Sequence, residues 1–283
     1  MLHILLHTPS RRDYIITVET PFDPLTAPIP EEVPLPDAPL VRVIAQIRFP
    51  QVLSIEKREF VAPFQEALRA SYPILRAERS QGLVLGPQGA AATPPQTIWR
   101  FADVESNWRV SLAPDFAAIE TTAYKSRKDF FARFEVVIRA LVEYVNPKVL
   151  DRLGVRYIDR VTGGAVDDIE ALVQPEVLGV ATTALGAHAI HSLSESVFEV
   201  PNEGAQILAR WGLLPKGATV DPAAIEPLDE PSWILDLDMF RPGQRAFDGT
   251  SVIQEAKAFA ERIYAIFRWA VTDEFLKRYG GKV

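Results

Sequence analysis

Residues 128–145 read KDFFARFEVVIRALVEYV, and their apolar side chains recur every three or four positions. That spacing places them on one stripe of an α-helix, and Phe130 and Phe131 are the first residues of the stripe. The helix should end before Pro147, because the residue preceding a proline avoids the helical conformation. This stretch therefore predicts a long amphipathic helix that buries one face against the rest of the fold.

Short β segments precede the long helix. Three of them are separated by turn residues, as in an antiparallel meander: residues 98–101, 108–112 and 117–123. Further upstream, residues 40–49 are apolar on both faces of a predicted strand, and residues 57–72 have the spacing of an amphipathic helix. We therefore expect a sheet that is covered by helices.

The part of the chain after the long helix repeats this order of elements. Residues 150–161 alternate in the manner of a strand, and three further strands are expected at residues 190–200, 206–213 and 233–240. A final helix should span residues 249–279, and its apolar positions match those of the first long helix at an offset of 122 residues. Any two amphipathic helices can be aligned in this way. It is the meander before both helices that makes internal duplication a hypothesis.

These patterns predict an α+β fold with two related halves, each an antiparallel β-meander followed by a long amphipathic helix packed on the sheet. The first half is assigned to residues 40–165 and the second to residues 166–283. Residues 1–39 form an N-terminal extension and proline-rich lead, because seven prolines between positions 21 and 39 exclude a helix or a central strand there. The sequence leaves open whether the two sheets join into one.

Composition excludes several classes of function. The chain of 283 residues carries a formal net charge of −7, which argues against a dedicated binder of polyanions. It has no cysteine, so disulfides, thiolate nucleophiles, cysteine-ligated zinc and iron–sulfur clusters are excluded. No glycine-rich phosphate loop occurs either, and no cofactor is implied. The chain has no signal-peptide pattern and no apolar stretch that would span a bilayer, so we expect a cytoplasmic protein without membrane association.

A row of arginines is the strongest candidate site. Even-spaced positions on a strand share one face, so such a row can hold a phosphate or a carboxylate-rich partner in bidentate fashion. The candidate binding residues are Arg42 and Arg48 on the first predicted strand, and Arg152, Arg156 and Arg160 on the strand after the long helix. Asp159 lies beside them in the sequence. The alternative is that these arginines pair with local acidic residues along an exposed sheet face.

Two other groups of residues have chemistry suited to a metal. Asp236 and Asp238 share one face of a predicted strand, and paired carboxylates can bind a divalent cation. Their alternation with apolar residues favours the simpler interpretation of a solvated strand face. His188 and His191 would face one metal, together with Glu195, only if their segment were helical. We therefore assign no metal site and no catalytic residue.

Three segments resemble a known family: Pro34–Leu40 leading into Ile44–Pro50, Arg152–Val161 after a helix rich in phenylalanine, and Val271–Glu274 in the last helix. They are similar to a sporadically distributed, uncharacterised family of prokaryotic proteins with no assigned activity. The resemblance covers roughly residues 34–279 and rests mainly on its first two segments. It implies a cytoplasmic bacterial protein from an accessory locus, such as a phage-defence or toxin–antitoxin module, and it transfers no catalytic residue.

The leading hypothesis is a non-enzymatic interaction subunit that binds a protein encoded in the same locus. The second is binding of a nucleic acid or nucleotide through the arginine row and the basic residues around the start of the long helix: Lys125, Arg127, Lys128, Arg133 and Arg139. The third is a metal-dependent hydrolase that uses Asp236, Asp238 and His191. The oligomeric state is left open.

Overall fold

The computed structural model describes residues 22–80, 83–86, 89–92 and 95–282, so the first 21 residues of the predicted N-terminal extension lie outside the described residues. Nine of the described strands form one sheet and two more form a hairpin. The strands are β1 (Leu40–Arg48), β2 (Ile74–Ser80), β3 (Leu83–Gly86), β4 (Gly89–Ala92), β5 (Gln96–Ala102), β6 (Trp108–Ala113), β7 (Phe116–Thr121), β8 (Val149–Thr162), β9 (Ser192–Val200), β10 (Ala205–Leu214) and β11 (Ser232–Ala246).

Two of the helices are long and five are short. They are α1 (Arg58–Leu68), α2 (Arg127–Tyr144), α3 (Gly164–Asp167), α4 (Ile169–Leu172), α5 (Pro175–Leu178), α6 (Gly249–Ala270) and α7 (Asp273–Arg278). In the described ranges, none of them has the length and apolar character needed to cross a membrane.

Strands β1 and β8 lie at the centre of the sheet, whose order is β2-β5-β6-β7-β1-β8-β11-β10-β9. Every neighbouring pair of strands is antiparallel. The two predicted meanders therefore join through the β1–β8 pair, in which Ala45 lies opposite Val155. The expected α+β class is confirmed, with one continuous antiparallel sheet.

The long helices α2 and α6 cover one face of this sheet. Each helix begins at a side-chain cap: Ser126 accepts a hydrogen bond from the Asp129 N–H, and Asp248 accepts one from the Ser251 N–H. The two helices also touch each other, since Lys257 Nζ lies 2.7 Å from Glu135 Oε1. A single hydrophobic core lies beneath them and includes residues from both halves of the sheet.

Alternation along the central strands decides which residues enter that core. Val43, Ala45 and Ile47 on β1 are fully buried beneath the helices, and so are Leu153 and Val155 on β8. Because successive side chains of a strand point to opposite faces, the residues between them lie on the other face of the sheet. That second face carries the predicted arginines.

The final helix differs from the expectation. It is not continuous over residues 249–279, because Val271 is extended and forms a β-bridge with Val173. Thr272 then caps a separate helix, α7, by accepting a hydrogen bond from the Phe275 N–H. The prediction of one helix was wrong, because the break depends on a pairing with a distant segment that helical periodicity does not report.

The sequence also gave no indication of β2, which forms one edge of the sheet. Its sequence, ILRAERS, lacks the regular apolar alternation from which the other strands were predicted. The short helices α3, α4 and α5 were likewise not predicted, because four-residue helices carry no detectable periodicity.

Residues 22–39, here called the strap, lie against α6 without forming a helix or strand. Arg262 Nη1 donates hydrogen bonds to the carbonyl oxygens of Pro24 at 3.0 Å and Ala27 at 2.8 Å. Tyr264 Oη accepts a hydrogen bond from the Val33 N–H at 2.8 Å, and Leu35 packs against the core. The described part of the proline-rich lead therefore forms part of the same packed unit.

Candidate functional site: the charged face and the strap pocket

The five arginines predicted as binding residues all lie on the face of the sheet opposite α2 and α6. This surface is called the charged face here. It receives Arg42 and Arg48 from β1, and Arg152, Arg156 and Arg160 from β8, because each of these positions alternates with a residue buried under the helices. Within each strand the arginines share a face, as expected from the sequence, and the β1–β8 pair brings both sets to the same side of the sheet. The partners of each guanidinium decide what this face can do.

Arg156 is held by two carboxylates. Its Nε and Nη2 donate to Asp236 Oδ1 and Oδ2, both at 2.7 Å, and its Nη1 donates to Asp221 Oδ2 at 2.7 Å. Asp236 is 1% exposed and also lies 3.3 Å from Arg210 Nη1. Burial works to lower the pKa of Arg156, but the hydrogen bonds and charges of Asp236 and Asp221 outweigh it and raise the pKa above its usual value. These residues are a fixed part of the fold.

The other half of the face carries the same arrangement. Glu120 on β7 accepts from Arg42 on β1 at 2.9 Å and also from Arg109 on β6. Glu120 lies directly opposite Arg109 on the neighbouring strand, and Asp236 lies directly opposite Arg210. Each carboxylate also binds an arginine diagonally across from it on a central strand, Arg42 on β1 or Arg156 on β8. We call Arg42–Glu120–Arg109 the open triad and Arg156–Asp236–Arg210 the covered triad.

The covered triad is shielded by residues 215–231, the proline-rich insertion between β10 and β11. Ala224 and Ile225 are buried against Ile158 on the charged face. The same insertion supplies Asp221 to Arg156, and the carbonyl oxygen of Glu226 accepts a hydrogen bond from Arg160. This half of the face is therefore closed by the chain itself.

The open triad borders a small cavity instead. The cavity has a volume of about 150 Å³ and is lined by four arginines and two glutamates: Arg42, Arg76, Arg100, Arg109, Glu78 and Glu120. Glu78 pairs with Arg100 at 3.1 Å, whereas Arg76 makes no ion pair with any described residue. A volume of this size holds a single phosphate or carboxylate group, or one small ring.

The remaining arginines are also engaged. Arg48 donates to Asp115 at 2.6 Å, and Arg152 donates to Asp238 at 2.8 Å while its guanidinium lies 4.5 Å from the Phe240 ring centre. Gly154 makes room for Arg152, because a Cβ there would lie 2.4 Å from Arg152 Nη1. All five predicted arginines thus bond to groups of this chain, and their role in binding a partner stays a prediction.

The interpretation of Asp236 and Asp238 as a solvated strand face was wrong. Asp236 is buried, and both carboxylates are bound to arginines across the sheet, which periodicity alone could not show. His188 and His191 are exposed, and within the described ranges no three side chains of the metal-binding types cluster together.

Some of the basic residues at the start of α2 also have partners. Arg127 pairs with Glu32 of the strap at 3.2 Å and with Glu261 at 3.7 Å. Arg133 lies 4.4 Å from the centre of the Trp108 ring. These contacts join α2 to its surroundings.

A second cavity, here called the strap pocket, lies on the helix-covered face of the sheet. Its volume is about 340 Å³, and it is enclosed by the strap, β8, β11 and α6. Its walls are mainly apolar and include Leu35, Leu237, Ile263 and Phe267. A concave, apolar pocket with a few polar groups is the usual form of a small-molecule site.

Three polar side chains of the strap pocket were missed as a group by the sequence reasoning. Asp159 is 7% exposed, and burial raises the pKa of its carboxyl to about 7. No residue in the described part of the chain donates a hydrogen bond to this carboxylate. Nearby, the hydroxyl oxygens of Tyr124 and Tyr157 lie 3.5 Å apart, and burial raises the pKa of Tyr124 to about 12.

Asp159 is a neighbour of the arginines in sequence but not in space. It shares the alternation of Leu153, Val155 and Val161 and therefore faces the helices, whereas Arg156 and Arg160 face away from them. An acidic residue at an inward position of a predicted strand was the available signal. A buried carboxyl with a perturbed pKa in a pocket is a candidate functional group.

Comparison of the chain with protein-family models, with curated proteins and with solved structures finds no match. The resemblance to an uncharacterised prokaryotic family therefore stays a prediction, and function has to be argued from the geometry alone.

Proposed function

We propose that the chain is a non-enzymatic interaction protein that binds another polypeptide, encoded in the same locus, through the outer edge of β9. The observation that carries this proposal is a long sheet edge that pairs with no described strand on its outer side and that bears exposed apolar side chains. The partner contributes an extended segment that continues the sheet, which is a common mode of peptide recognition.

The edge strand has the features of a docking site. Strand β9 pairs with β10 on one side, and no strand among the described residues pairs with its other side. Alternate backbone N–H and C=O groups therefore point away from the sheet. Natural edges are commonly blocked by proline or lysine, and Ser192–Val200 contains neither.

Exposed apolar residues are frequent in β9 and in the stretch of chain that leads into it. Five of the eleven exposed large apolar side chains in the described structure come from residues 180–198, namely Val180, Leu185, Ile190, Val197 and Phe198. Val197 lies on the charged face and Phe198 on the opposite face, so each face of the edge strand carries an exposed apolar side chain that a partner can cover. The rest of the exposed apolar side chains are distributed over the molecule.

The side chains of β9 indicate the chemistry of the partner. Leu193, Glu195, Val197 and Glu199 lie on the charged face and alternate between apolar and acidic. Cross-strand neighbours of opposite charge stabilise a sheet, whereas like charges opposite each other destabilise it. The partner segment therefore alternates apolar and basic side chains.

We also propose that the two halves arose by internal duplication. The open and covered triads support this with a second half that begins at β8 rather than at residue 166, because the triads equate β1, β7 and β6 with β8, β11 and β10 and have the same cross-strand geometry. Contact between Glu135 and Lys257 also supports it, since these positions are 122 residues apart, which is the offset that aligns the two long helices. Equivalent residues meet in this way when they lie near a twofold axis.

The two other functions have weaker support. Carboxylates or carbonyl groups of this chain bind all five predicted arginines, which reduces the charge available to a nucleic acid. Asp236 and Asp238, which a hydrolase would use for a metal, are bound to arginines instead.

Native mass spectrometry of the tagged chain isolated from its own host tests the proposal. The comparison includes Val197→Lys on the edge and, as a control, Val104→Lys in the β5–β6 turn, where the valine is 71% exposed against 59% for Val197. We expect added polypeptide mass with the unchanged chain and the control, and loss of that mass with Val197→Lys. A bare chain, added nucleotide mass, or equal retention by all three would refute it.

Hydrogen exchange of the isolated complex locates the contact. Edge amides of β9 should exchange rapidly in the free chain and slowly in the complex, because the partner strand would accept their hydrogen bonds. Protection of these amides already in the free full-length chain would show that the edge is occupied, and the proposal would fail.

A further inference from the structure

We propose that the strap pocket binds a small ligand that carries an ammonium group on an apolar body, with Asp159 as the counter-ion. This inference is independent of the proposed interaction through β9, because the pocket lies on the other face of the sheet, at β8 and β11.

The position of the carboxylate is the first step of the argument. Asp159 lines the strap pocket, is more than nine-tenths buried, and accepts no hydrogen bond from any described residue. Folded proteins rarely leave a buried ionisable group without a partner, because its desolvation is then uncompensated. A bound cation that can donate hydrogen bonds would supply the missing partner.

The aromatic walls are the second step. Tyr124 and Tyr157 pack edge to face with their ring centres 5.6 Å apart, and Tyr264 stacks on Phe267 at 6.0 Å. All four rings line the strap pocket. Aromatic faces attract cations, and the two tyrosine hydroxyl groups can accept hydrogen bonds from an ammonium group.

Charges at the rim do not compete for the carboxylate. Arg127 is paired with Glu32 and Glu261 and stacks over the Tyr264 ring, so its charge is already engaged. Lys125 is exposed. An anionic ligand would meet the Asp159 carboxylate inside the pocket, so the interior selects a cation.

The remaining wall residues set the apolar body of the ligand. Ala260, Ile263, Leu237 and Leu35 offer no hydrogen-bonding side chains. A volume of about 340 Å³ is near the lower limit of the usual range for small-molecule pockets. A bicyclic aromatic amine is of suitable size.

Calorimetric titration with tryptamine, and with its neutral analogue tryptophol, tests this inference on the full-length chain. At pH 8.5 we expect tryptamine to bind at least about tenfold more tightly than tryptophol, which is the discrimination that one charged hydrogen bond provides. Asp159→Asn, which keeps the shape of the side chain, should remove that preference. Equal affinity for the two compounds, no binding, or an unchanged preference in Asp159→Asn would overturn the inference.

The pH profile identifies the responsible group. An alkylammonium keeps its charge between pH 5.5 and 8.5, whereas Asp159 gains a proton as the pH falls through about 7. Tryptamine affinity should therefore fall by about tenfold to 30-fold from pH 8.5 to 5.5, depending on how weakly the protonated form binds, and it should be nearly constant in Asp159→Asn. If tryptamine affinity in Asp159→Asn still depended on pH, another group would cause that dependence, and Asp159 would not be the counter-ion. The other titratable or charged groups around the strap pocket are Glu32, Tyr124, Lys125, Arg127, Tyr157, Tyr264 and Tyr279.

A second variant guards against a change in the fold. Tyr157→Phe removes one hydroxyl group and leaves the ring in place, so it should weaken tryptamine binding several-fold without changing the circular dichroism spectrum. If tryptamine affinity were unchanged in this correctly folded variant, the tyrosine pair would have no part in the site.

Discussion

Two carboxylates on neighbouring central strands show opposite ways of burying a negative charge. Asp236 of β11 lies on the charged face between Arg156 and Arg210, whereas Asp159 of β8 lies on the helix-covered face in an apolar pocket. Both are almost fully buried. Burial alone therefore does not distinguish a structural carboxylate from a candidate binding group, and the presence of a partner within the chain does.

The physical reason is the balance between desolvation and pairing. Removing an ion from water is unfavourable by several kcal/mol, and only well-placed hydrogen bonds and opposite charges offset that penalty. Asp236 has both in its two arginines. Asp159 has neither among the described residues, and its carboxyl responds by binding a proton more readily.

The largest effect is expected for Asp236→Ala. The change leaves Arg156 and Arg210 without their shared acceptor in a site covered by the insertion, and breaking a buried pair in this way costs about 3–5 kcal/mol. Urea denaturation measures the free energy of unfolding. Asp229→Ala, at a highly exposed partner of Lys216, serves as the control and should have little effect. A loss below about 1 kcal/mol for Asp236→Ala would contradict the structural role of the covered triad.

Asp159→Asn should increase the free energy of unfolding, whereas Asp236→Ala should decrease it. Burial gives Asp159 a folded pKa of about 7, above the ordinary value of 3.8 for an aspartate, so the folded chain binds more protons than the unfolded chain between pH 4 and 7. The stability contributed by this group is therefore lost as the pH rises through that range. At pH 8 the variant should be more stable than the unchanged chain by up to about 4 kcal/mol, and at pH 4 the two should be equal. Thermal unfolding at both pH values measures the difference in stability between the variant and the unchanged chain, and a difference that did not depend on pH would disprove the prediction.

Glu120→Ala tests the open triad against the covered one. It also removes a carboxylate held by two arginines, but Arg109 remains more accessible to water than either arginine of the covered triad. We expect a loss of about 1–2 kcal/mol, clearly smaller than for Asp236→Ala. Urea denaturation of the two variants side by side gives the difference, and equal losses would show that the insertion does not strengthen the covered triad.

The smallest effect is expected for Arg48→Ala. Its pair with Asp115 is well exposed, and exposed pairs contribute about 0–1 kcal/mol, so we expect less than 0.5 kcal/mol by urea denaturation. Arg48 is also the predicted binding arginine that can be changed with least effect on the fold. A larger loss of stability would show that the Arg48–Asp115 pair, at the end of β1, contributes more to the fold than an exposed pair should.

Much of the fold could be predicted because its signals are local. The alternation of β8 and the periodicity of α2 depend on neighbouring residues, and both elements were predicted within a few positions of their observed ends. The break at Val271 could not be predicted, because it depends on a bridge to Val173 almost a hundred residues away. Strand β2 was missed because its position at the edge of the sheet leaves its charged residues in water.

The candidate sites divide in the same way. Alternation correctly placed the arginines of β8 on one face of their strand and those of β1 on one face of theirs. It could not show that the two strands are neighbours or that Arg156 meets Asp221 and Asp236. The carboxylates come from a different strand and from the insertion, and no spacing rule connects them with β8. The strap pocket was not recognised for a similar reason, since its walls come from the strap, three strands, the β7–α2 connection and α6.

The sequence by itself determined the identity of most strands, both long helices, and the face on which each side chain of β1 and β8 lies, because these follow from the periods of the backbone. Only the tertiary structure decided that two meanders share one sheet, that the insertion closes half of the charged face, and that Asp159 is buried beneath the strap where no described residue bonds to its carboxylate. Those outcomes depend on which distant segments pack together. Desolvation and pairing then determine the charge state of each buried group.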